Sequence, residues 1–173
     1  MSAGHGGHHV AQHEHLGERE FDRAMADPRF QAILSRGFDV SFDYDVPYLG
    51  GYSQDGTNIY IDRDTPLTLK RGKHVYQLRP QQWIDASSGP FLVRGIICHE
   101  HWEKTAMMAW GWGYYESHKL ATHAENRFAC DTLQMDSAEY EEVWQPVINM
   151  VEKKLRAQAA QLPPDLDRTP YQS

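Results

Sequence analysis

The chain has 173 residues, 24 acidic against 17 basic side chains for a formal charge of −7, and 40% hydrophobic and 12% aromatic residues. That length suits one domain able to bury its own core, and the aromatic content argues against a disordered chain. The net negative charge excludes a general nucleic-acid binder, which needs a concentrated basic face, and no apolar run approaches membrane-spanning length.

Residues 1–15 are rich in Gly and His, holding five of the ten histidines (His5, His8, His9, His13, His15), and are almost devoid of apolar side chains. Such a segment cannot offset its ordering entropy and is expected as a mobile tail with loose affinity for transition metals. It lacks the basic start and apolar stretch of a secretory signal, so the expected compartment is cytoplasmic. Structure is expected from Leu16, in one domain over residues 16–161. A helix through Phe21 and Met25 stops at Asp27-Pro28, where Asp caps and Pro opens a second short helix that Gly37 ends.

Phe38, Val40, Phe42, Tyr44 and Val46 then alternate with polar residues, a period of two that predicts a strand with one apolar and one acidic, wet face. Pro47, Gly50 and Gly51 break it. After the turn at Gln54-Asp55-Gly56, residues 57–62 read as a second strand, and residues 73–78 as a short third one. Residues 85–90 read as a loop. Leu92, Ile96, Trp102 and Met107 recur at near-helical spacing and predict a helix over residues 91–110, too long for an ordinary strand. Gly111-Trp112-Gly113 punctuates, a joint or lid candidate. A second long helix is predicted over residues 115–133. Asp136 and Glu139 have capping-box spacing ahead of a third, which Pro146 should kink or restart. Lys153, Lys154 and Arg156 fall near its end, where cations complement the dipole. Residues 162–173, with three prolines, are expected as an extended peripheral tail. Cys98 and Cys130 are too few for a disulfide framework and are expected as free thiols.

The chemistry concentrates in His99-Glu100-His101-Trp102-Glu103. On a helix His99 and Glu103 are i and i+4, so an imidazole nitrogen and a carboxylate oxygen can converge on one cation. Zinc accepts both ligand types, and a catalytic site needs three protein ligands plus water. Glu100, rotated by about 100°, reaches the water instead of the ion and is placed as general base. His101, rotated by about 200° from His99, should point away. The third ligand has to come from elsewhere, and the next helix offers His118, His123 and Glu125. His123 lies in the apolar-periodic part and is preferred. His118, nearer the helix start, is expected to face solvent or substrate. Tyr114 and Tyr115 are candidates to stabilise an oxyanion, against a purely packing role.

The order GYSQDGTNIYIDRDTP, IICHEHWE, THAENRFACDTL resembles the compact zincin metallopeptidases, over about residues 38–135. The resemblance implies an α+β, zincin-like fold: a small antiparallel or mixed sheet whose edge strand packs on an active-site helix, with further helices. It implies Zn2+ held by His99, Glu103 and His123. Glu103 stands where the family has histidine, and His123 where it usually has an acidic ligand. It also implies an edge strand, here Asn58, Ile59, Tyr60 and Ile61, that accepts an extended peptide or protein substrate by strand addition. The expected function is a zinc-dependent hydrolase, a peptidase or amidase with Glu100 as base. The competing readings are a non-catalytic zincin-like module for protein binding and a metal-handling protein that uses the N-terminal histidines.

Overall fold

The computed structural model describes residues 7–83 and 89–172, with side chains from residue 17 onward. The fold is α+β, with helices on a small mixed sheet. Helix α1 (Gly7–Ala26) starts inside the segment expected to be a mobile tail, not at Leu16. Each residue added to a helix already held by packing gains a backbone hydrogen bond. That packing comes from Ala24, fully buried, and from Phe21, whose ring stacks on Trp102 at 5.0 Å. Residues 1–6 and most of the loop expected over 85–90 lie outside the described residues. Asp27 then caps α2 (Pro28–Leu34) by accepting from the Arg29 amide, with Pro28 in the first turn.

Strands β1 (Asp39–Ser41), β2 (Gly50–Tyr52) and β3 (Asn58–Ile61) form a mixed sheet in the order β1-β3-β2, with β1–β3 parallel and β2–β3 antiparallel. The alternation over residues 38–46 yields only the short β1. Ser41 Oγ accepts from the Asp43 amide at 3.2 Å, a local bond that competes with the ladder. Nor is the acidic face wet throughout. Asp45 is fully buried and accepts from Arg63 Nε at 2.9 Å and from Lys154 Nζ at 3.2 Å. Strands β4 (Thr68–Arg71) and β5 (His74–Gln77) form a separate hairpin around Gly72, whose φ of 59° suits glycine.

Helix α3 (Val93–Trp110) is the central element. Its start has no side-chain cap; instead the amides of Leu92 and Val93 donate to Gln77 and Leu78 carbonyls of the β5 end, at 3.0 and 2.8 Å. Gly111, left-handed, closes it. Ile96 and Ile97 share the main core with Ile59 and Ile61 of the sheet. Trp102 faces the other way, into a second core with Phe30 and Leu120. Burying a side chain of that size stabilises by roughly 1.5–3 kcal/mol. Helix α4 (Tyr114–Asp131) folds back on α3, and Trp112 in the joint packs on Trp110 at 4.6 Å. Helix α5 (Ser137–Ala157) is capped by Asp136, but Glu139 does not fold back to complete a capping box; it accepts from the Tyr76 hydroxyl at 2.6 Å. The helix runs on through Pro146 rather than restarting, with Glu142 and Pro146 both exposed, so water can take the freed carbonyl. Lys154 does more than complement the helix dipole: it binds Asp45, Asp62 and Asp64 at 2.6–3.2 Å.

The C-terminal segment is not peripheral. Leu166 is 2% exposed, Pro170 is buried, and Asp167 forms a buried pair with Lys104 at 2.9 Å. Among the described residues no helix is long and apolar enough to cross a membrane.

Candidate metal centre

On α3, His99 and Glu103 lie one turn apart on the same face, as their spacing predicts. His99 Nε2 and Glu103 Oε2 are 3.1 Å apart. The third member of the cluster is His118, whose Nδ1 lies 3.1 Å from His99 Nε2 and 2.9 Å from Glu103 Oε2. These three side chains form a group that could hold a metal ion. Tetrahedral zinc with bonds near 2.0 Å keeps its ligand atoms about 3.3 Å apart, so the donor set and its spacing fit that ion.

His123, the preferred third ligand, does not join this group. His123 sits on the α1 side of α4, its ring 5.5 Å from that of Phe21, and its buried Nε2 has no partner among the described residues. From His118 to His123 the helix turns through about 500°, which leaves the two side chains some 140° apart. His118, Thr122 and Glu125 instead follow the i, i+4, i+7 face and line one cleft together.

Glu125, the other alternative ligand, stands behind His99. Its Oε1 lies 3.2 Å from His99 Nδ1, within ion-pair reach, while Oε2 accepts from the Tyr140 hydroxyl at 2.7 Å. A carboxylate on Nδ1 favours the tautomer that leaves Nε2 free for a metal. The second oxygen of Glu103, Oε1, accepts from the Tyr52 hydroxyl at 2.8 Å. His101 points away, as expected, and donates from Nε2 to the Leu34 carbonyl at 2.6 Å. Tyr115 is 64% exposed with Lys119 over its ring, and does not line the cleft. Its neighbour Tyr114 does, with its hydroxyl 3.4 Å from His118 Nδ1.

The electrostatics are those of carboxylates crowded around two imidazoles. Burial pushes the His99 imidazole down, but the bond to Glu103 and the nearby Glu125 outweigh it and hold the pKa well above its ordinary value. Burial raises Glu103, and the two histidines overcome it, lowering that carboxyl to about 2. For Glu100 the balance runs the other way: burial first, then the charge of Glu103, outweigh the nearby His99 and push it up to about 8. It faces β2 so closely that a Cβ on Gly50 would stand 2.8 Å from its Oε1.

The cleft has a volume of about 480 Å3. Its floor is α3, one wall comes from α4 and α5, and the other from Tyr48, Gly50, Pro170 and Tyr171. The edge-strand assignment is corrected here. Asn58, Ile59, Tyr60 and Ile61 form the central strand, paired with β1 on one side and β2 on the other, so no substrate can add to them. The strand beside the cleft is β2, hidden in the sequence because Gly50 and Gly51 read as a break. Isolated glycines in a strand mark close approach, and here the neighbours are Glu100 and the Tyr171 hydroxyl. Tyr52, Tyr140 and Tyr171 carried no local signal. The Gly111-Trp112-Gly113 joint contributes nothing to the cleft lining. Cys98, its thiol pushed up to about 12 by burial and then by Glu125, and the exposed Cys130 are free and outside the cluster. Comparison of the chain with protein-family models, with curated proteins and with solved structures finds no match.

Proposed function

We propose that the chain is a zinc-dependent hydrolase of the zincin kind, cleaving an amide or peptide bond. The observation that carries this reading is the convergence of His99, Glu103 and His118 atoms at 2.9–3.1 Å, with Glu100 lining the same cleft. A histidine and a glutamate from one helix and a histidine from the next leave a coordination position open, as catalytic zinc requires.

His99, Glu103 and His118 hold the ion, and Glu125 and Tyr52 orient the first two. When bound, zinc polarises the scissile carbonyl, acidifies water, and opposes with its charge the neighbours that keep Glu100 protonated. Glu100 accepts a proton from the attacking water as the new C–O bond forms. It then delivers that proton to the departing amine nitrogen as the C–N bond breaks. Tyr114, on the His118 side, can donate a hydrogen bond to the oxygen on which charge develops.

Elemental analysis of the purified full chain should find about one zinc per molecule, the stoichiometry of a mononuclear site. Against a peptide library read by mass spectrometry, Glu100→Gln should keep the metal and lose turnover by about 100- to 10,000-fold, the usual worth of a general base. Unchanged turnover in that variant, or a chain that takes up no zinc, sinks the reading.

A further inference from the structure

Strand β2 is the sheet edge next to the cleft, and its hydrogen-bonding parity can be read directly. The Asp62 amide donates to the Leu49 carbonyl at 2.8 Å, and the Ser53 amide donates to Asn58 at 2.9 Å. In an antiparallel ladder successive residues alternate, so Gly50 and Tyr52 direct their backbone groups to the outer edge. Both outward carbonyls are already taken by the C-terminal segment. Tyr52 O accepts from the Asp167 amide at 2.9 Å, and Gly50 O accepts from the Tyr171 hydroxyl at 3.0 Å. An antiparallel bridge between Ser53 and Leu166 and the Gln54 amide on Asp165 O, at 2.9 Å, continue the pairing.

The segment is anchored. Leu166 is 2% exposed, and Asp167 is tied to Lys104 Nζ at 2.9 Å and to the Thr169 amide at 3.0 Å. Beyond the anchor, Pro170 and Tyr171 turn over Gly50 and form part of the cleft wall. The opposite wall is helical, and the backbone of a helix interior has its amides and carbonyls satisfied within the helix. The outward carbonyls of β2 are thus engaged and the helical wall has none to spare, so a substrate backbone meets no free row of acceptors.

We propose that the cleft takes a compact amide substrate, of a few residues at most, held by side chains rather than laid as a strand along β2. The 480 Å3 of the cleft lies within the range of about 300–1,000 Å3 that small-molecule sites occupy. This rests on the hydrolase reading, and the C-terminal segment is what sets the limit on substrate length. Loss of the Tyr171 hydroxyl frees the Gly50 carbonyl, the edge acceptor beside Glu100, for the amide of a longer chain.

The test uses two probes on zinc-loaded protein: an acetyl-dipeptide hydroxamate and the same compound extended by several residues. Their dissociation constants are measured by calorimetry on wild type, on Tyr171→Ala, and on a chain ending at Asp167, which keeps the anchor to Lys104. In the wild type the extension should change affinity by less than about threefold. In at least one variant it should strengthen binding about tenfold or more, of the order of one or two well-made hydrogen bonds to charged or oriented groups. An extension that already strengthens binding tenfold in the wild type, or that gains nothing in either variant, overturns the proposal. Absence of zinc from all three proteins overturns the hydrolase reading on which it rests. A loaded site with the wrong ratios overturns this inference alone.

Discussion

On the proposed reading His99 binds zinc through Nε2, and Glu125 with Tyr140 stands behind its other nitrogen. The approach of 3.2 Å from Glu125 to Nδ1 and the 2.7 Å bond from Tyr140 make a relay from α5 through α4 to α3. Tyr140→Phe removes the last donor in it without removing volume. Zinc affinity, measured by competition with a chelator, should fall about 10- to 100-fold, as for other partners that orient metal-bound histidines. His118→Ala should empty the site, whereas His123→Ala should keep its zinc, because that ring packs on Phe21 away from the cluster. A loaded His118→Ala protein would break the assignment of the third ligand. The placement of His99 and Glu103 on one face of α3, with Glu100 rotated from them, was legible in the sequence, because spacing alone fixes angle on a helix. The choice between His118 and His123 was not. It depends on which face of α4 meets α3, and that is settled by the packing of α1 against Leu120, Ala124 and their neighbours.

At the scale of elements, α5 and strand β2 each approach α3 closely at a glycine. A Cβ on Gly95 would lie within van der Waals exclusion of the Tyr140 ring and hydroxyl, and one on Gly50 would press on Glu100. Gly95→Ala therefore removes a small helix penalty but forces Tyr140 outward, and the steric cost of overpacking, about 1–3 kcal/mol, wins over the gain of roughly 1 kcal/mol in propensity. Chemical denaturation should show net destabilisation, accompanied by the weaker zinc binding expected when Tyr140 releases Glu125. A more stable variant with native affinity would contradict the close-approach argument. In the sequence Gly95 weakens the helix pattern, yet it is the residue that lets α3 and α5 meet. The helices themselves were legible from apolar periodicity and from Asp27 and Asp136 as caps. The sheet was legible only in part: residues 57–62 hold β3 and residues 38–46 hold β1, but the length of β1 and the presence of β2 were not, for two reasons. The alternation over residues 38–46 is spent on buried ion pairs and a local turn, and β2 is built on glycines that carry no pattern.

Across the whole molecule, Lys154 joins parts that no single element connects. From α5 it reaches Asp45 after β1, and Asp62 and Asp64 after β3, while the Gln161 amide at the start of the C-terminal segment also donates to Asp45, at 2.7 Å. The side chains of Asp45 and Asp62 are 0% exposed, so each depends on these partners. Lys154→Met leaves Arg63 on Asp45 but deprives Asp62 of its cation, and should cost about 2–3 kcal/mol near neutrality. The pH dependence separates this from a loss of packing. Burial raises the Asp45 carboxyl, but the Gln161 amide, Lys154 and Arg63 outweigh it and hold it below its ordinary value of 3.8. Its contribution is thus complete above that value and is lost as pH falls through the lower, folded one. For Lys154 burial lowers the ammonium, but its three carboxylates raise it above 10.5, so its contribution holds below that value and is lost as pH rises through the higher, folded one. His101 and His123 are both lowered, by burial in the first place, so stability also declines as pH drops below about 6.5, in wild type and variant alike. The difference between wild type and Lys154→Met isolates the cluster from that shared decline. It should be largest on a plateau from about pH 5 to 10 and narrow on both sides. In acid Asp45 takes up a proton and no longer needs a cation, and in alkali the lysine no longer supplies one. Urea unfolding followed by tryptophan fluorescence across this range reads the difference directly. A gap that stays constant from pH 3 to pH 11 would mean that the methionine had disturbed packing, and that the charge of Lys154 does not hold these segments together.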